Sequence, residues 1–210
     1  MNDILTLLKT TQALLTDDHF VYTSGKHGSV YINKDLLYIH TEIASEVGKL
    51  FAENAGDMPI DVVAAPALGG IVLSQWTAFH LTQIRGKEVV AVYTEKTQDK
   101  NQVFTRGYDQ IVKNKNVFVI EDLVTTGTSV RKVIDSVRQV GGKVVQVGVM
   151  VNRSPENAQV TEITLDSPFF ALGRLPVEVY DADSCVLCLV KKPINTKIGH
   201  GKKFVDSTSS

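Results

Sequence analysis

An excess of charge of one sign is missing from this chain. Its 22 lysines and arginines nearly cancel 23 aspartates and glutamates, for a formal charge of -1. That excludes a globally basic nucleic-acid or membrane-surface binder and leaves a locally charged site open. Long apolar runs are missing too: no stretch reaches the roughly 18 consecutive apolar residues of a membrane helix. The start, Met1-Asn2-Asp3-Ile4, lacks a basic segment ahead of an apolar core, so a secretory leader is not expected. Cysteine is scarce, with only Cys185 and Cys188, too few for a disulfide framework. Together these absences make the cytoplasm the expected compartment.

What is present is the material of a core. Hydrophobic residues make up 43% of the 210. That is too many for a disordered chain and enough for one sizeable core, so a single domain over 1–210 is expected.

Apolar residues at Ile4, Leu5, Leu7, Leu8, Leu14 and Leu15 predict a helix over 2–16. A second helix is predicted over 40–54, with Thr41 as its N-cap. Apolar, β-branched runs at 61–65, 88–93, 117–120 and 144–151 predict strands, and 103–108 is strand-like. Helices are predicted over 68–84 and 128–140, the second ended by Gly141-Gly142. Strands that are apolar throughout and alternate with helices signal a parallel sheet covered on both faces. Ligands of such sheets bind at the carboxyl ends of the strands.

The most informative stretch is 117–129. Glu121 and Asp122 are expected to end a buried strand. Thr125, Thr126, Gly127, Thr128 and Ser129 then form a hydroxyl-rich turn that opens a helix. Free N–H groups of such a turn and helix start bind anions, and Gly127 permits close backbone approach. Neither the Gly-Lys-Ser/Thr ending of a Walker loop nor a G-x-G-x-x-G turn is present. A ribose 5-phosphate suits both halves, its phosphate on the turn and its hydroxyls on the acids. Carboxylates there would also stabilise positive charge developing at C1. The bland alternative is a solvated strand end followed by an ordinary cap.

Ile120-Glu-Asp-Leu-Val-Thr-Thr-Gly-Thr-Ser129 resembles the 5-phosphoribosyl 1-diphosphate (PRPP) signature of type I phosphoribosyltransferases. The resemblance implies an α/β fold with a central, mainly parallel, twisted sheet flanked by helices. It implies a small hood from about 1–38 and 152–204 over a core of about 39–151. It makes Glu121, Asp122, Leu123, Val124, Thr125, Thr126, Gly127, Thr128 and Ser129 the PRPP-binding run, with Asp122 also catalytic. Leu68 and Gly69, within Pro66-Ala-Leu-Gly-Gly-Ile71, take the place of the family's diphosphate loop, where a plain helix start is the alternative.

Tyr22-Thr-Ser-Gly-Lys-His-Gly-Ser-Val-Tyr-Ile-Asn33 resembles the N-terminal hairpin of orotate phosphoribosyltransferases. By that resemblance Lys26 meets the base and diphosphate end of the ligands. Tyr31 packs on orotate, with Ile32 replacing the second aromatic. Thr125 meets the pyrimidine, and Arg153 holds the orotate carboxylate. A guanidinium fork matches a planar carboxylate, which adenine and hypoxanthine lack. Taken singly, Arg153 also reads as a surface arginine and His27 as a surface-loop histidine.

Residues 94–102 are polar and lie between two strand-like runs, as a hairpin tip would. The resemblance makes this tip a lid that excludes water. Tyr93-Thr-Glu-Lys96 and Phe104-Thr-Arg-Gly-Tyr108 resemble one branch of the orotate enzymes, and they put Lys96 first as the cation on the leaving diphosphate, ahead of Lys100 and Arg106. Also implied are Mg²⁺ held mainly by substrate near Glu121 and Asp122, and a homodimer whose lids serve the neighbouring site. The substrates would be PRPP and orotate, without nucleic acid or membrane partners. The products would be orotidine 5′-monophosphate and diphosphate, a step of de novo pyrimidine synthesis. A transferase for another base and a non-catalytic PRPP-sensing regulator are the alternatives.

Cys185 and Cys188 have only His200 near them in sequence, so they read as reduced packing cysteines rather than zinc ligands. Residues 206–210 read as a frayed tail.

Overall fold

The computed structural model describes residues 3–208. Asp3 accepts a hydrogen bond from the Leu5 N–H and opens α1 (Ile4–Thr10), which buries Ile4, Leu7 and Leu8. This helix is shorter than the predicted 2–16, because Gln12 takes a left-handed φ of 55°; Asn2 lies outside the described residues. Four two-residue strands follow: β1 (Leu14–Leu15), β2 (Phe20–Val21), β3 (His27–Gly28) and β4 (Tyr31–Ile32). They pair antiparallel, β1 with β4 and β2 with β3.

Next come α2 (Lys34–Tyr38) and α3 (Thr41–Asn54). Thr41 is the first helical residue of α3 and not its cap; His40 holds the cap position without a side-chain hydrogen bond. The alternating region then runs β5 (Val62–Pro66), α4 (Gly69–Arg85), β6 (Val90–Lys96), β7 (Gln102–Phe104), α5 (Tyr108–Val112), β8 (Asn116–Val124), α6 (Thr128–Gln139) and β9 (Lys143–Asn152). The expected strand over 103–108 stops at Phe104, because Arg106 and Gly107 both take positive φ, 61° and 79°, and turn the chain into α5. α7 (Glu162–Leu165) and β10 (Phe169–Arg174) follow, then a 3-10 turn (Ala182–Ser184), α8 (Val186–Leu189) and α9 (Gly201–Thr208). The expected frayed tail is therefore helical through Thr208; residues 209 and 210 lie outside the described ones.

The central sheet has the order β10-β9-β8-β5-β6-β7, parallel apart from the antiparallel edge strand β7. β10 comes from the segment expected in the hood and extends this sheet beside β9. Side chains of β8 alternate between two cores, as strand geometry requires. Phe118 and Ile120 join Val47, Phe51, Leu73 and Leu81 under α3 and α4. Val117 and Val119 join Val130, Val133, Ile134 and Val137 under α6. Burial on both faces is why the strands lack polar alternation. Among the described residues no helix is long and apolar enough to cross a membrane.

Candidate active site

The pairing of β8 with β9 continues to Val124 opposite Asn152. Glu121 and Asp122 therefore lie within the strand and not at its end, each only 5% exposed. Burial, and next the Asp122 charge, push the Glu121 carboxyl up to about 8; the Asp122 N–H, Lys34 and Ser129 oppose this. Lys34, from the start of α2, is ion-paired with Asp122. Burial alone would lower its ammonium's pKa, but the Asp122 carboxylate reverses the direction to upward. Asp122 also accepts the Leu123 N–H at 2.6 Å. Gly69, at the start of α4, leaves room for this pair: a Cβ there would collide with the Asp122 carboxylate and the Lys34 ammonium.

The raised Glu121 carboxyl predicts a pH effect on folding. Its unfolded value is near 4.3, so its contribution is complete below that pH and is lost as pH rises through about 8. Substrate-free protein should therefore lose stability from about pH 5 to about pH 9 more steeply than Glu121→Gln does. Denaturant midpoints across that range read this, and equal slopes would contradict it.

Beyond the acids, Gly127 takes a φ of 75° at the start of the twelve-residue α6. Thr126 and Thr128 share a hydroxyl hydrogen bond of 2.9 Å, and both are exposed with Ser129. The turn and the helix N-terminus thus present hydroxyls and free N–H groups together, which suits a phosphate. A cavity of about 350 Å³ covers this turn, bordered by Lys96, Lys100 and Lys132. Lys132 Nζ donates to the Lys100 carbonyl at 2.5 Å, tying the hairpin tip to α6.

A larger cavity of about 500 Å³ shares Leu123, Thr125 and Thr126 with the first, so the two meet along the turn. Tyr22, Lys26, Tyr31, Lys34 and Arg153 line it. Arg153 follows β9 directly, and its N–H bonds to the Val124 carbonyl at 2.8 Å. Its Nη2 donates to Thr125 Oγ1 at 3.1 Å, and its guanidinium carbon lies 6.0 Å from the Tyr22 ring centre. The Nε is buried without a hydrogen-bond partner. Tyr22 stacks on Tyr31 at 6.5 Å and 12°, held by its hydroxyl donating to the Val30 carbonyl at 2.5 Å. Lys26 reaches Asp181 at 2.7 Å.

Of the residues expected in the site, Lys96, Lys100, Leu123 to Ser129, Lys26, Tyr31 and Arg153 border these two cavities. Arg106 lies apart from both, paired with Glu95 at 2.9 Å. Leu68 is 83% exposed just ahead of α4. Sequence reasoning missed Tyr22, which restores an aromatic pair beside Tyr31, and Lys34, which answers Asp122. Tyr22 sat inside the hairpin motif; Lys34 carried no local signal. His27 is not a surface histidine; it is fully buried.

The family model for the phosphoribosyl transferase domain matches residues 34–166. The orotate phosphoribosyltransferase of Caldanaerobacter subterraneus is 34% identical over 175 residues, 83% of this chain and 85% of that protein. That of Chlorobium phaeobacteroides is 35% identical over 192 residues, 91% of this chain and 92% of that protein. The Mycobacterium tuberculosis orotate phosphoribosyltransferase, solved in complex with PRPP, has a similar fold. Its TM-score is 0.63 at 21% identity, and the match covers 83% of this chain and 97% of that one. With this much of the chain matched, and with an acid pair inside β8 followed by a hydroxyl-rich turn, the chain belongs to the phosphoribosyltransferase family, among the orotate phosphoribosyltransferases.

Proposed function

We propose that the enzyme transfers the 5-phosphoribosyl group of PRPP to orotate, giving orotidine 5′-monophosphate and diphosphate in de novo pyrimidine synthesis. The observation that carries this reading is the partly buried Arg153 guanidinium. It stands in the wall of the larger cavity beside two stacked tyrosines, with its Nε unpaired. A planar anion with a carboxylate substituent satisfies both features, with its ring on the aromatic face and its carboxylate on the fork.

In this reading the turn of residues 125–129 holds the 5-phosphate, and Glu121 and Asp122 of β8 take the ribose hydroxyls. Leu68 and Gly69 lie along the diphosphate. Orotate binds against Tyr31, Tyr22, Lys26, Thr125 and Arg153. The C1–oxygen bond to diphosphate breaks as a bond from C1 to the orotate ring nitrogen forms, and that nitrogen's proton is released. Positive charge gathers on the ribose in between, where the neighbouring Asp122 carboxylate stabilises it. Lys96 and Lys100 balance the charge of the departing diphosphate, and the closed hairpin tip keeps water from the activated C1.

Mg²⁺ suits the oxygen donors of Glu121 and Asp122, yet Asp122 already answers Lys34. We therefore assign the ion chiefly to substrate oxygens, in keeping with its preference for phosphates and water. When bound, it supplies further charge neutralisation at the diphosphate. The cytoplasm is the proposed compartment, and a homodimer the proposed assembly, with each hairpin tip closing over its neighbour's site. Family resemblance supports that closure; within one chain, Lys96 and Lys100 also border that chain's own turn.

Product analysis after incubation with PRPP, Mg²⁺ and each of orotate, hypoxanthine and adenine tests the reading. Orotidine 5′-monophosphate alone is expected. Turnover of a purine in place of orotate would move the assignment to another base, and PRPP binding without any turnover would favour a sensor.

A further inference from the structure

Beside the β2–β3 hairpin, among residues that line neither substrate cavity, four side chains converge. The donor atoms of His19, His27, Cys185 and Cys188 all lie within 4.8 Å of one another. His19 Nε2 is 2.9 Å from His27 Nδ1, 3.7 Å from Cys185 Sγ and 3.8 Å from Cys188 Sγ. His27 Nδ1 is 3.4 Å from Cys188 Sγ. A tetrahedron built on Zn–S of about 2.3 Å and Zn–N of about 2.0–2.1 Å has N···S edges of about 3.6 Å and N···N edges of about 3.4 Å. The N···S separations bracket the first figure, and the N···N separation of 2.9 Å falls about half an ångström inside the second, so the two rings part slightly around an ion.

The histidine tautomers fit the same arrangement. His19 Nδ1 lies 2.8 Å from the Lys192 carbonyl. A carbonyl only accepts, so Nδ1 carries the proton and Nε2 turns a lone pair toward the cluster. A backbone carbonyl behind a ligating imidazole is the usual outer support of a metal site. His27 Nε2 is buried without a partner whichever ring nitrogen carries the proton, so the feature that bears on a cation is the 2.9 Å approach of the two facing nitrogens. A cation between the rings lets both facing nitrogens offer lone pairs.

The cysteines stand at C-x-x-C spacing, with Cys185 ahead of α8 and Cys188 within it. Both are free thiols, Cys185 buried and Cys188 partly so. His19 and His27 are fully buried. His200, the histidine nearest the cysteines in sequence, lies elsewhere and contacts Thr23 Oγ1 at 3.1 Å.

We propose that His19, His27, Cys185 and Cys188 bind one Zn²⁺ in a closed, structural site. Two thiolates and two neutral imidazoles complete its four-coordinate shell and leave no position for a substrate. Its effect is to clasp the N-terminal hairpin onto the C-terminal segment, where His27 and Tyr180 already exchange backbone hydrogen bonds of 2.8 and 2.9 Å. The tip of that hairpin carries Tyr22 and Lys26 into the larger cavity. The clasp therefore holds one wall of that cavity from outside it.

Elemental analysis of protein purified under reducing conditions without chelators tests this. About one zinc per chain is expected in the wild type, and less than about a tenth in Cys188→Ser and in His19→Ala. Should those variants fail to fold, Co²⁺ exchanged into the wild-type protein provides the second reading. Intense tetrahedral visible bands and a thiolate charge-transfer band are expected, and both should vanish on Zn²⁺ addition. Wild-type protein that holds no zinc and takes up neither ion when reduced would overturn the proposal. So would stoichiometric iron in place of zinc, a Cys185–Cys188 disulfide in freshly isolated protein, or full zinc retention in the variants.

Discussion

Arg153→Ala is expected to raise the KM for orotate roughly a hundredfold while moving that for PRPP by less than about threefold. The guanidinium is partly buried beside Tyr22, with its Nε fully enclosed, and is bonded to Thr125. Its replacement would leave the orotate carboxylate desolvated and unpaired, which costs about 2–4 kcal/mol, with each 1.4 kcal/mol worth tenfold. Arg153→Lys should recover only part of this, because an ammonium lacks the planar fork. Loss of the Thr125 hydrogen bond is the competing explanation, and Thr125→Val separates the two. It should raise the orotate KM far less than Arg153→Ala does. Equal rises in the KM for orotate and PRPP in the arginine variant would remove Arg153 from base recognition.

Lys96→Ala is expected to lower kcat about 10²–10³-fold with little change in stability, the usual cost of losing one charge-stabilising group in a transition state. Lys96 ends β6 and borders the cavity over the phosphate turn. Arg106 is a weaker candidate than its place in the motif implies, because Glu95 already holds it. An unchanged kcat would shift the role to Lys100, the other lysine of the tip in that cavity. The same variant reports which site the tip serves. Mixing Lys96→Ala with Arg153→Ala subunits should restore roughly a quarter of wild-type activity if the tip acts on its neighbour, since half of the dimers are mixed and each has one intact site. No restoration would mean that the tip closes over its own chain.

The parallel sheet was legible because strands buried on both faces carry no polar alternation: β5 is wholly apolar, and β8 and β9 hold the apolar runs 117–120 and 147–151. The phosphate turn was legible because its parts are contiguous in the chain. Other features of the site arise from contacts that local sequence does not encode. β8 runs on through Glu121 and Asp122 because β9 offers backbone partners as far as Asn152; the acids looked like a strand end because charges seldom lie inside a buried strand. Lys34 meets Asp122 across 88 residues, and no pattern near Lys34 announces it. Tyr22 stacks on Tyr31 only once the intervening hairpin folds. The segment before β1 looked helical through residue 16, yet left-handed Gln12 ends the helix and frees Leu14 and Leu15 to pair with β4. His19 and His27 approach the cysteines from the other end of the chain, so the pair read in isolation looked like packing.

Uracil differs from orotate by the missing carboxylate, and so it isolates the part that an anion-binding pocket plays in choosing the base. The most direct measurement is kcat/KM for the two bases with PRPP and Mg²⁺ in the wild-type enzyme. Orotate is expected to be favoured by roughly 10⁴-fold, because uracil would leave the Arg153 fork unanswered. Comparable values for orotate and uracil would contradict it.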